Sequence, residues 1–95
     1  MDRETILKYL QKHKDDFMQK YGIEKIALFG SFARGEAKEE SDIDIFVKMD
    51  PDLFKIVGLK EQIEQDLQKK VDVVREHKHM KPILLKMIQK DIIYV

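Results

Sequence analysis

The chain contains no cysteine, which excludes a disulfide framework and any thiolate metal site. Such a composition fits a reducing compartment, and we expect the protein in the cytoplasm. Long apolar runs are missing as well, since no stretch approaches the roughly 20 residues that a membrane-spanning helix needs. Net charge is also absent: 18 Lys and Arg balance 18 Asp and Glu. The chain therefore lacks the overall positive field by which nonspecific nucleic-acid binders hold a phosphate backbone. We expect neither a membrane nor a nucleic acid as its direct partner. The opening stretch MDRETILKYLQKHKDD mixes charged and apolar residues, so no basic start and apolar block of a secretory signal is legible. Glycine is scarce at four residues and proline at two, so each one present is informative about where the chain turns.

What is present is 43% hydrophobic and 38% charged over 95 residues, enough for one modest core. We expect residues 1–95 to form a single domain. Ile6, Leu7, Leu10, Phe17, Met18 and Tyr21 recur at three- and four-residue steps, the period of an amphipathic helix. Asp2 is its candidate N-cap and Gly22 its stop. The run IEKIALF, residues 23–29, reads as a buried strand that ends at Gly30. DIDIFV, residues 42–47, alternates, so Asp42, Asp44 and Phe46 share the face opposite Ile43, Ile45 and Val47. Asp50 and Pro51 suit a helix start, and Leu53, Phe54, Ile56, Val57, Ile63 and Leu67 extend a helical stripe to about Lys70, with Gly58 marking close packing. VDVV, residues 71–74, is a third strand with Asp72 and Val74 on one face. PILLKMIQKD, from Pro82, is a last short helix, and IIYV closes the chain as a fourth short strand. The predicted fold class is α/β (α+β): a small mixed β-sheet with helices packed on one side.

Two strands would then bring carboxylates to one face. Asp42 and Asp44 offer hard oxygen ligands of the kind Mg²⁺ takes together with substrate phosphates. Asp72 adds a third, enough to hold a second ion or orient a nucleophile. Gly30 and Ser31, after a strand and at the start of a short helix, would present backbone N–H groups and a hydroxyl to an anion. Together these residue types point to phosphoryl-group chemistry, in which two metal ions stabilise the attacking and leaving oxygens of an in-line displacement. His77 and His79, on a polar connector without a third ligand, are read as surface residues. The lysines of the last helix are read as a solvated face, and Tyr9, Tyr21 and Tyr94 as packing residues.

Gly30-Ser31, a gap of ten residues, then Asp42-Ile43-Asp44 resembles the motif of the nucleotidyltransferase superfamily that includes DNA polymerase beta. The fuller string of Ser31, Ala33-Arg34-Gly35, Ala37 and Ser41-Asp42-Ile43-Asp44 is similar to its smallest members, the minimal nucleotidyltransferase (MNT) family, and the likeness spans essentially the whole chain. That resemblance implies the minimal nucleotidyltransferase fold and a transfer of AMP from ATP. It implies that Gly30 and Ser31 hold the triphosphate, that Asp42 and Asp44 bind two Mg²⁺ ions, and that Asp72 binds the catalytic ion and helps to remove the acceptor's proton. Arg34 becomes a phosphate contact, and Ser41 a residue that orients Asp42. As partner it implies a small all-helical HEPN-type toxin, adenylylated on a tyrosine, with this chain as the antitoxin. The alternative is a non-catalytic module that neutralises such a partner by masking it.

Overall fold

The Asp2 carboxylate accepts hydrogen bonds from the Thr5 backbone N–H at 3.0 Å and the Thr5 hydroxyl at 2.8 Å, which satisfies one of the free donors at a helix start. Helix α1 (Arg3–Tyr21) grows from that cap and stops where Gly22 turns left-handed and donates its N–H to the Met18 carbonyl. Both ends are as expected from sequence. The computed structural model describes all of residues 1–95. It continues with β1 (Lys25–Phe29), α2 (Gly30–Arg34), β2 (Ile43–Lys48), α3 (Leu53–Leu67), β3 (Val71–Arg75), α4 (Pro82–Asp91) and β4 (Ile93–Tyr94). No helix is long and apolar enough to cross a membrane.

The four strands form one mixed sheet in the order β3-β2-β1-β4. β1 pairs antiparallel with β2 and β4, whereas β2 and β3 are parallel. A parallel pair needs a long crossover, and α3 supplies it. Its cap differs from the expected one: Asp52, rather than Asp50, accepts from the Lys55 N–H at 3.2 Å. The helix also ends at Leu67 rather than near Lys70, because Gln68 adopts a left-handed conformation. Lys69 and Lys70 are then free to lead into β3. There the Val71 N–H donates to the Glu64 carboxylate at 3.0 Å.

Strand alternation sorts the core. Ile26, Leu28, Ile43, Ile45, Val47 and Val71 pack against Ile6, Leu10 and Phe17 of α1 and Leu59 and Ile63 of α3. Gly58 lets the two helices approach, since a Cβ there would lie 3.0 Å from the Tyr21 ring. The expected stripe of α3 is partly misplaced: Leu53, Phe54 and Val57 face solvent, and Leu59 takes their place in the core. The opposite sheet face carries Ala27 and Phe46, which bury with Ile88 of α4. Helices α1 and α3 lie on one side as anticipated, while α4 occupies the other. Burying a phenylalanine is worth about 1.5–3 kcal/mol, and Phe46 would be stranded in water without that cover. The aspartate end of the same face keeps Asp72 exposed.

Candidate active site

At the end of β1 the chain must turn beneath a carboxylate. Phe29 pairs with Asp44 across the antiparallel strands, and Gly30 follows with φ +77°. A Cβ at Gly30 would collide with the Asp44 carboxylate, its Cγ lying 3.0 Å away. Glycine is thus required twice, by the left-handed backbone and by the contact. On the other side of β2, Asp44 pairs in register with Asp72 of the parallel β3. Adjacent strands are about 4.8 Å apart, so the two side chains leave the same face as neighbours. Asp42, two residues earlier, lies on that face by alternation. The structure therefore brings together Gly30, Asp42, Asp44 and Asp72.

The electrostatics reflect this crowding. Asp44 is half-buried, and its carboxyl is held above the ordinary range first by desolvation, then by the charges of Asp72 and Asp42, with Arg34 opposing. The chain's three ion pairs, Lys20–Asp16, Arg34–Glu36 and Arg34–Asp91, involve none of the three aspartates. Their charge has no direct counterion within the protein. Nor do they close into a ready-made cage of three ligands around one point. The donor set still fits Mg²⁺, which is usually held by one or two carboxylates and completes its shell with water and substrate phosphates.

The remaining predicted residues have mixed outcomes. Ser31 is half-buried in the first turn of α2, beside Gly30, and its carbonyl accepts from the Glu36 N–H at 2.9 Å. Ser41 does not orient Asp42; its hydroxyl accepts from the Lys38 N–H at 2.8 Å and holds the turn before β2. Arg34 is exposed and donates through Nε to Glu36 at 3.1 Å and through Nη1 to Asp91 at 3.2 Å. Asp91 was not foreseen. It stands 57 residues from Arg34, and only the passage of α4 over the sheet joins them. His77 and His79 stay on the connector before α4, where the His79 N–H donates to His77 Nδ1. The one cavity, about 100 Å³, is lined by Met1, Asp2, Arg3, Phe32, Gly35 and Ala37, and not by Asp42, Asp44 or Asp72. The carboxylates instead occupy an open face.

A family model described as nucleotidyltransferase domain matches residues 10–95. The chain belongs to that family. It is 37% identical over 94 residues to the protein adenylyltransferase MntA of Thermococcus cleftensis, covering 97% of this chain and 94% of the relative. It is 44% identical over 94 residues to a chain of Methanocaldococcus jannaschii named as a protein adenylyltransferase, covering 95% and 94%. A solved structure described as a minimal nucleotidyltransferase superimposes with a TM-score of 0.78 at 33% identity, over 98% of this chain and 95% of that one. A toxin–antitoxin structure with AMP-PNP gives 0.69 at 25% identity, over 99% of this chain and 72% of that one. The expected family and the mixed-sheet α+β fold are both borne out, and the chain spans nearly the full length of the two adenylyltransferase relatives.

Two expectations follow from the geometry. Gly35 also has positive φ, +74°, but a Cβ there meets nothing within 4 Å. Gly35→Ala should cost about 1 kcal/mol of backbone strain, and Gly30→Ala about 1–3 kcal/mol more through overpacking against Asp44. Equal losses in urea denaturation would contradict the close contact. The second concerns pH. Because folding raises the Asp44 carboxyl, the folded state is penalised once pH rises above the unfolded value of about 3.9, and fully so above the folded one. Asp44→Asn should therefore melt higher than the parent at pH 7, with the difference vanishing as pH falls below about 4. A variant that melts lower at pH 7 would show the charge to be stabilising instead.

Proposed function

We propose that this chain transfers the AMP moiety of ATP to a hydroxyl of a protein partner, in the cytoplasm. The observation that carries the reading is the juxtaposition of Asp42, Asp44 and Asp72 on an open sheet face beside the Gly30–Ser31 turn. Relatives named as protein adenylyltransferases support it, as does a neighbour solved with AMP-PNP.

Gly30 lets the backbone come close to the triphosphate, and the Ser31 hydroxyl donates to a phosphate oxygen. Asp42 and Asp44 would hold Mg²⁺, with Asp72 shared by the catalytic one of two ions. When bound, the ions neutralise the triphosphate and the departing pyrophosphate. Asp72, the most open of the three, accepts the proton of the attacking hydroxyl. The acceptor oxygen forms a bond to the α-phosphorus while the bond from that phosphorus to the bridging oxygen of pyrophosphate breaks. Holding the hydroxyl in line accounts for about 7–11 kcal/mol of such a barrier. The aspartate face has no enclosing pocket to do that, so a second protein is the natural source of the acceptor.

Helix α4 supports a protein acceptor as well, because on the same side of the sheet it shows Ile83, Leu84 and Met87 to solvent. Apolar surface of this kind is what partner proteins cover. We assign the partner to the HEPN type, as the family resemblance implies, with a tyrosine as acceptor and this chain as the antitoxin; a neighbour solved as a toxin–antitoxin complex supports a protein partner. Incubation of that partner with ATP, Mg²⁺ and this chain should add AMP to a partner hydroxyl, read by mass spectrometry. Asp72→Asn should abolish the addition yet still form the complex. If that variant neutralises the partner as fully as the parent at equal stoichiometry, the chain acts by masking and the enzymatic reading fails.

A further inference from the structure

Arg34 is the one cation whose charge reaches Asp44, and its guanidinium is fixed by two carboxylates from different parts of the fold. Nε donates to Glu36 at 3.1 Å and Nη1 to Asp91 at 3.2 Å. A guanidinium has five N–H donors. Three remain, including both on Nη2. Arg34 lies one helical turn after Gly30 in α2, a rise of about 6 Å, so it stays near the Gly30–Ser31 turn to which the triphosphate is assigned above.

The two carboxylates differ. The Glu36 side chain is 68% exposed, whereas that of Asp91 is 19% exposed. A contact through Glu36 is readily exchanged with water, as surface pairs are. Asp91 has Arg34 as its only hydrogen-bond partner, and it ends α4 one turn after Ile88, which is anchored against Phe46. It is thus a sheltered acceptor on a fixed post.

We propose that Asp91 is a positioning residue for nucleoside triphosphate binding, holding the Arg34 guanidinium so that its free N–H groups meet a phosphate. This rests on the nucleotide reading above. Because three donors stay free, the phosphate need not displace Asp91, and a guanidinium already held in place loses less freedom on binding. The opposite possibility, that Asp91 competes with phosphate for Arg34, has the opposite sign and is separated by the test.

The test is calorimetric titration with AMP-PNP in excess Mg²⁺. Arg34→Ala should weaken binding about tenfold and Asp91→Ala about three- to tenfold. Asp91→Asn, which keeps an acceptor oxygen, should stay within about twofold of the parent. Asp91→Ala added to Arg34→Ala should cause no further loss, since Asp91 acts only through Arg34. Thermal melts confirm that each variant is folded; should Asp91→Ala unfold, tightened binding by Asp91→Asn would overturn the proposal on its own. Unchanged or tighter binding by Asp91→Ala overturns it too, as does a loss that persists without Arg34. A parent that fails to bind AMP-PNP removes the nucleotide reading and this proposal together, whereas a parent that binds and an Arg34→Ala variant that binds equally well removes this proposal alone.

Discussion

Three carboxylates of like charge are held on neighbouring strands, and the rest of the molecule is arranged around that repulsion. The in-register pairing of Asp44 with Asp72 places two charges about one strand spacing apart. Such a pair repels by about 1 kcal/mol in a water-like medium and about 3 kcal/mol at an effective dielectric of 20. No lysine or arginine of the chain forms an ion pair with either. A sheet that carries this charge on one face must be held together from the other, and there Ile43, Ile45, Val47 and Val71 are fully buried beneath α1 and α3. The period of two along a strand lets the same residues do both jobs, with apolar side chains below and acidic ones above. On the function proposed above, a cation brought by a triphosphate would turn the repulsion into attraction, so the charge that costs stability would favour the nucleotide-bound protein.

The topology follows from the same requirement. Only a parallel β2–β3 pair sets the start of both strands, and hence Asp44 and Asp72, at one end of the sheet. That arrangement demands the α3 crossover. At the same end β1 finishes, and its antiparallel pairing delivers Gly30 to Asp44. Helix α4 closes the apolar half of the upper face over Phe46 and Ala27 and stops with Asp91 against Arg34.

Much of this was legible in the sequence, for local reasons. Alternation in DIDIF and in VDVV fixed which face each aspartate takes, because strand period leaves no freedom once the apolar face is buried. The cap at Asp2 and the stop at Gly22 were legible because both act within one helical turn. The less legible parts depend on contacts distant in sequence or on a choice between equivalent local signals. Asp50 and Asp52 are both plausible caps, and only the backbone path out of β2 selects Asp52. Leu53, Phe54 and Val57 fit a helical stripe as well as Leu59 does, yet only Leu59 is on the face of α3 that is buried in the core. Nothing in the spacing of Ala27, Phe46 and Ile88 shows that α4 crosses to the acidic side. The Arg34–Asp91 pair depends on that crossing. Ser41 looked like a neighbour to help Asp42 but serves its own turn, through a hydrogen bond to Lys38 of the kind serine makes wherever a backbone donor lies within reach.

Whether the aspartate face is a cation-dependent triphosphate site is decided most directly by titrating the chain with ATP in a calorimeter, once in excess Mg²⁺ and once in excess EDTA. The triphosphate and the three carboxylates repel one another unless a divalent ion lies between them. Saturable binding in Mg²⁺ that disappears in EDTA is the expected result. Equal affinity in EDTA would contradict it, because the triphosphate would then be held without the ions that Asp42, Asp44 and Asp72 are proposed to bind.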